Sequence, residues 1–207
     1  MYETKTNELR VNCIFPVTIC DIDIDRDFTE EELKFVSKHK ELTTENTLNK
    51  TSQNTFILNS DEMTDIRQFC LLNTSKYFHE VLKVHPATSL YITQSWLNFS
   101  ENHQGHHVHS HPNSIVSGVF YFESDENDKI KFHRSYDSDP FPKTEYDILN
   151  SETWWFPATK GKLILFSSKT VHSVDIRESN VPRISLSFNT YFKGQIGHPS
   201  HLNYLKL

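Results

Sequence analysis

Pro182-Arg183-Ile184-Ser185-Leu186-Ser187-Phe188-Asn189-Thr190-Tyr191-Phe192 alternates strictly between apolar and polar positions. As a strand it puts Ile184, Leu186, Phe188, Thr190 and Phe192 on one face, and Arg183, Ser185, Ser187, Asn189 and Tyr191 on the other. The second face is a row of hydrogen-bonding groups ending in a guanidinium. Pointing a guanidinium into a barrel is expensive unless an anion meets it there, which makes Arg183 and Ser185 a candidate carboxylate clamp. A solvated outer face would account for the serines equally well, and the strand alone leaves both readings open.

Upstream of this strand the period of two persists. Short β-rich runs fall at about 89–99, 117–123, 129–134, 153–157, 161–167 and 170–176, with 182–193 as the last. Many short strands with few helices between them predict a closed or double-sheet antiparallel architecture such as a jelly roll. The irregular stretch 135–152, with Pro140, Phe141, Pro142 and Tyr146, is long enough to suggest a lid over a site. The first 88 residues read differently. Val11 to Ile24 suggests one or two strands, and Thr29-Glu30-Glu31-Glu32 caps a helix running to about Lys40. The Thr/Asn/Ser-rich stretch 43–55 reads as loop. A second helix starts at Ser60-Asp61-Glu62-Met63, its apolar positions Ile66, Phe69, Cys70, Tyr77, Val81 and Leu82 recurring at helical spacing. His79 and His85 read as surface residues of that helix, and Trp154-Trp155-Phe156-Pro157 reads as core.

The chain has 207 residues, which fits one domain: 1–88 as helical support, 89–193 as β core, 194–207 as a tail. Lys plus Arg number 21 against 27 Asp plus Glu, a formal charge of −6 with no long basic run, so nucleic acid and anionic membrane are unsuited partners. Only 5 glycines are present where average usage gives about 14, which disfavours glycine-built phosphate loops. The 15 Phe, 8 Tyr and 3 Trp supply the means to bury a core. No apolar run is long enough for a membrane helix, and no secretory h-region follows Met1. Cys13, Cys20 and Cys70 have no metal-ligand spacing and suit a reducing cytoplasm.

Five of the 12 histidines crowd into nine positions: His103, His106, His107, His109 and His111. In an extended segment, residues i and i+2 face the same way about 6.6 Å apart, so two such imidazoles can converge on one ion. His107, His109 and His111 all satisfy this spacing. His172 lies 61 residues beyond His111, and Arg183 follows it by 11.

The order is strand, His-x-His, the strand Ser117-Gly118-Val119-Phe120-Tyr121-Phe122, a long loop, a distal His172, then Arg183-x-Ser185. It resembles the Fe(II)- and 2-oxoglutarate-dependent dioxygenases, whose pattern is His-x-Asp/Glu, a distal His, then Arg-x-Ser. Within that superfamily four motifs are similar to a small 2-oxoglutarate-Fe(II) oxygenase family common in marine bacteria and phages. These are Trp96-Leu97-Asn98, His109-Ser110-His111-Pro112-Asn113-Ser114, Ser117-Gly118-Val119-Phe120-Tyr121 and Arg183-Ile184-Ser185-Leu186-Ser187-Phe188-Asn189. The resemblance covers about 90–193. It implies an α+β, mainly β fold: a double-stranded β-helix, the cupin-like jelly roll, with N-terminal helices packed outside.

The resemblance further implies Fe(II) held by His109, His111 and His172, with 2-oxoglutarate as cosubstrate. Arg183 and Ser185 would meet its distal carboxylate, and Asn98 and Tyr121, with Trp96, would line the pocket. O2 and a protein side chain or small metabolite would be the other reactants, giving hydroxylated product, succinate and CO2, in a monomer or homodimer. One departure stands out: the family's carboxylate position is His111 here, or His109 if the pair is His107-x-His109. A carboxylate from elsewhere, Glu101, Glu123 or Asp175, is the alternative. Two other functions fit the same residues. One is a cupin-like three-His metalloenzyme without 2-oxoglutarate, which would not need Arg183. The other is a noncatalytic metal-binding jelly-roll module.

Overall fold

The computed structural model describes residues 12–134 and 141–207. Its strands are β1 (Ile19–Asp23), β2 (Thr43–Glu45), β3 (Lys50–Ser52), β4 (Thr88–Ser100), β5 (His106–His109), β6 (Val116–Glu123), β7 (Lys129–His133), β8 (Thr153–Pro157), β9 (Lys162–Ser167), β10 (His172–Val174), β11 (Arg183–Ile196) and β12 (Leu205–Lys206). The helices are α1 (Glu30–Lys40) and α2 (Thr64–Lys76), the second continued by one π turn over Tyr77–Val81. The larger sheet runs β1-β9-β6-β11-β4-β3-β2, with β12 pairing on β11, and the smaller runs β5-β10-β7-β8. Every pairing within them is antiparallel. This is a mainly β, double-stranded β-helix core with helices outside it.

The alternation along each strand sorts side chains into two layers. Leu97 and Phe99 of β4, Phe120 and Phe122 of β6, Leu163 and Leu165 of β9, and Leu186 and Phe188 of β11 form one cluster with Ile57, Met63, Ile66, Cys70 and Tyr77 from the helical segment. The helices therefore cover the outer face of the larger sheet. The opposite positions, Val119, Tyr121, Ile164 and Phe166, meet Ile130 and Phe132 of the smaller sheet. A strand buried on both faces reads as a continuous apolar run, which is the composition of β6 and β9. It also settles the open question about β11. Arg183, Ser185 and Ser187 are buried and point between the two sheets, away from solvent.

Thr29 closes a capping box on α1: its hydroxyl accepts from Glu32 N–H at 3.1 Å, and the Glu32 carboxylate accepts from Thr29 N–H at 2.8 Å. Gly118 lies under the Phe188 ring so closely that a Cβ there would stand 2.2 Å from it, which explains why this inner strand carries a glycine.

Several expectations need correction. Residues 43–55 are not simply loop, because β2 and β3 form a hairpin that extends the larger sheet at β4, and Ser52 Oγ accepts from Leu97 N–H at 3.0 Å. Of Val11–Ile24 the described part contains one strand, β1. His79 and His85 lie at and beyond the helix end, where His79 Nδ1 faces Val84 O and His85 Nδ1 accepts from Ala87 N–H. Trp155 is not core: it sits on the edge strand β8, half exposed, under the Lys129 ammonium at 4.1 Å. Of the stretch expected to act as a lid, 135–140 lies outside the described residues; 141–152 forms turns, and Phe141 and Tyr146 are exposed. No helix of the described residues is long and apolar enough to cross a membrane.

Candidate metal centre and anion pocket

Two strands, and the segment that follows one of them, deliver the histidines. His109 ends β5 and pairs directly with His172 of β10, and a bulge between the two strands turns His106 to the same side as His109. His111 follows β5, where its N–H donates to Ser168 O at 2.9 Å. Pro112 and Asn113 then turn the chain back into β6, Asn113 adopting φ 59°, a left-handed conformation that asparagine tolerates better than most residues. The ligand atoms of His109, His111 and His172 lie within 4.8 Å of one another.

The ring nitrogens divide into two sets. Nδ1 of His109 faces His107 O at 2.8 Å, Nδ1 of His172 faces Thr170 O at 3.0 Å, and Nδ1 of His111 faces Asn189 Oδ1 at 2.5 Å. Carbonyl and amide oxygens only accept, so each Nδ1 carries the proton and each Nε2 presents a lone pair. Those of His109 and His111 are 3.1 Å apart. Two lone pairs at that distance repel unless a cation or a proton lies between them. A divalent ion fits this donor set: neutral imidazoles are good ligands for Fe(II), and each is oriented through its far nitrogen. Burial lowers the pKa of all three, that of His172 to about 3, and lowers His106 to about 4, so they stay neutral at pH 7 without a metal. The Phe166 ring packs edge-on beneath His172 at 4.7 Å.

A second His group, His106, His107 and His109, also has ligand atoms within 4.8 Å, but His107 is solvent-exposed. The three carboxylates considered as alternative ligands are engaged elsewhere. Glu101 pairs with Lys40 at 2.8 Å, Glu123 with Lys160 at 3.8 Å, and Asp175 with Lys131 at 2.6 Å. Among the described residues no carboxylate joins the histidine groups.

One cavity is lined by His109, His111 and His172 together with Asn98, Tyr121, Arg183 and Ser185. Trp96 lines it as well, so all eight residues expected at the site from the sequence surround one space. Asn98 is fixed by Trp96 Nε1, which donates to its Oδ1 at 3.2 Å, while its Nδ2 donates to Ser187 Oγ at 2.9 Å. Tyr121 is buried, and desolvation raises its phenol pKa. Arg183 departs from the expectation of a free clamp: Nη1 donates to Asp128 Oδ1 at 3.1 Å and Nη2 to Ser100 Oγ at 3.2 Å. A wider depression beside Asp23, Asp25, Asp27 and Lys160 contains no histidine.

Four contributors escaped the sequence reading as site residues. Asn189 and Ser117, whose hydroxyl lies 2.8 Å from both His111 Nδ1 and Asn189 Oδ1, had a visible signal: both stand in quoted motifs, and Asn189 shares the inward face with Arg183. Asp128 and Arg177 had none, being one acid in a turn and one base in a loop.

Residues 94–189 match the family described as "Putative 2OG-Fe(II) oxygenase". No curated protein sequence matches the chain. Among solved structures, the non-heme alpha ketoglutarate dependent epimerase SnoN from nogalamycin biosynthesis superposes with TM-score 0.59 at 12% identity, over 90% of this chain and 83% of that one. HygX from Streptomyces hygroscopicus, solved with nickel and 2-oxoglutarate bound, gives 0.55 at 10% identity over 84% and 82%. An oxidoreductase of the 2OG-Fe(II) oxygenase family from Burkholderia pseudomallei gives 0.54 at 12% over 77% and 76%. Identities this low speak for the shared fold alone.

Proposed function

We propose that this chain, which belongs to the 2OG-Fe(II) oxygenase superfamily, uses Fe(II) and 2-oxoglutarate to hydroxylate a small metabolite or a protein side chain. The observation that carries the reading is the convergence of three Nδ1-protonated imidazoles, His109, His111 and His172, on one buried point beside a buried guanidinium. Fe(II) bound there would couple oxidation of the keto acid by O2, with release of succinate and CO2, to attack on a substrate C–H bond. The chain's own work is placement. Three ligands on one side leave the remaining positions open toward the cavity, and Asn189 and the two backbone carbonyls keep each Nε2 aimed. Arg183 would take the distal carboxylate, with Ser185 beside it and Tyr121 and Asn98 walling the pocket against water. In this reading 89–193 carry the chemistry and the helical segment supports them. With three neutral ligands the site keeps the full charge of the ion, where a carboxylate would have offset part of it.

The bonds from Arg183 to Asp128 and Ser100 favour a second reading, a three-His enzyme that does not use 2-oxoglutarate. One titration separates the two. Anaerobic addition of Fe(II) and then 2-oxoglutarate to the apoprotein should produce a visible metal-to-keto-acid charge-transfer band saturating at one equivalent. Iron binding without the band would favour the second reading, and no iron binding would favour a noncatalytic module. A product screen then follows: HygX has been solved with hygromycin B bound, which makes small polar metabolites the first set to test.

A further inference from the structure

Asp128, in the turn before β7, serves two arginines. Arg183 gives it one contact, at 3.1 Å. Arg177, in the loop between β10 and β11, gives it two: Nε to Oδ1 at 3.2 Å and Nη2 to Oδ2 at 2.9 Å. The remaining terminal nitrogen of Arg177 donates to Ser100 O at 3.0 Å, and the main chain of Arg177 is tied to the segment before β5 through His103 and Gln104. All three side chains are almost fully buried, at 3–4% exposure. The next acid, Asp125, is turned to Ser179 Oγ at 2.9 Å. Asp125, part-exposed at the cluster's edge, also attracts Arg177, but among the buried groups two cations share one anion, so the buried cluster carries a net positive charge. That is costly unless a further anion is received.

Of the three, Arg183 alone reaches the cavity. We propose that Arg177 is a positioning residue for the anion pocket: by satisfying Asp128 with its two-pronged contact, it leaves the charge of Arg183 available to an incoming carboxylate. Without Arg177, Asp128 would have only Arg183 to neutralise. The pair would become a closed salt bridge, and the pocket would lose its net positive charge. The proposal rests on the reading of Arg183 as the partner of the keto-acid carboxylate.

The test is calorimetric titration of 2-oxoglutarate into the Zn(II)-loaded full chain, a redox-inert form in which binding is read without turnover. Removing one member of a buried charge cluster should weaken the keto acid about tenfold or more in Arg177→Met, whereas Arg177→Lys, which keeps the charge, should stay within about threefold. Arg177→Met with Asp128→Asn removes one charge of each sign and should return affinity to within about threefold of the unmodified protein. Zn(II) affinity should not change in any of these. Arg183→Met calibrates the reading underneath. If it binds the keto acid normally, the assignment of Arg183 fails. If Arg183→Met is weakened but Arg177→Met is not, the role of Arg177 fails. Should Arg177→Met not fold, the double variant and Arg177→Lys decide, and about tenfold weaker binding by either folded protein overturns the proposal.

Discussion

Asn189 Oδ1 stands 2.5 Å from His111 Nδ1, and the Ser117 hydroxyl donates to the same oxygen at 2.8 Å. A neutral amide thus holds the His111 imidazole, fixing its tautomer without supplying charge. Asn189→Ala should let His111 rotate and exchange tautomers. Metal affinity should then fall by about 10–100-fold, as is typical when the partner of a ligating histidine is lost. Competition for Zn(II) against a chromophoric chelator measures this directly, and an unchanged affinity would show that His111 needs no such support.

The pairing of His172 with His109 across β10 and β5 makes His172 the histidine that would close the proposed metal triad, while His107 is exposed, its carbonyl facing His109 Nδ1 and its ring stacked on His106. His172→Ala should abolish stoichiometric Fe(II) or Zn(II) binding, and His107→Ala should retain it. Metal content after gel filtration reads both. Retained binding by His172→Ala together with loss in His107→Ala would move the ion to the His106–His107–His109 group.

Why the sequence disclosed some of this and not the rest follows from which forces are local. The alternation of β11 and the apolar runs of β6 and β9 are set by burial of each strand's own residues, so the sheets and the two faces of β11 could be read in advance, whereas the inward direction of the row beginning at Arg183 depends on the second sheet that covers it. The β2–β3 hairpin could not be, because its strands are short and largely polar at the sheet edge, and what orders them is pairing with β4. The same applies to Asp128 and Arg177. Nothing in either local stretch marks a buried ion cluster; it exists because the loop after β10 and the start of β11 meet at Ser100 and at Asp128 of the turn before β7. Trp155 is the opposite error, a residue type expected inside that an edge strand leaves half exposed.

Gly118 is required by Phe188. A Cβ at 118 would stand 2.2 and 2.4 Å from two ring atoms of a phenylalanine that is itself fully buried and cannot swing away. Gly118→Ala should therefore cost about 1–3 kcal/mol, the usual range for overpacking. For a chain of this size that lowers the melting temperature by several degrees. Gly118→Ala with Phe188→Leu should recover part of the loss, since it opens the space the methyl needs. If the single variant melts with the unmodified protein, the ring has room to shift.

Burial holds His172 at a pKa of about 3 and His106 at about 4, against 6.5 for the free side chain. Both are neutral in the folded apoprotein at pH values where the unfolded chain has already taken up protons. The unfolded state therefore binds more protons between about pH 6.5 and the folded values, and stability rises with pH across that window and falls as the solution is acidified. Each pH unit contributes about 1.4 kcal/mol per histidine while the difference is complete. Melting of chelator-treated protein should show a level plateau above about pH 7 and a steady decline toward pH 4, to which the smaller downward shifts of His109 and His111 add, with a shallower decline in His172→Leu, which removes the most strongly shifted group. Saturating Zn(II) should raise the melting temperature at every pH. The increment should shrink as the solution is acidified, because at low pH protons compete for the Nε2 lone pairs that the ion needs. A flat apoprotein profile would mean that these imidazoles take up protons in the folded state, and that the site opens to water before the chain unfolds.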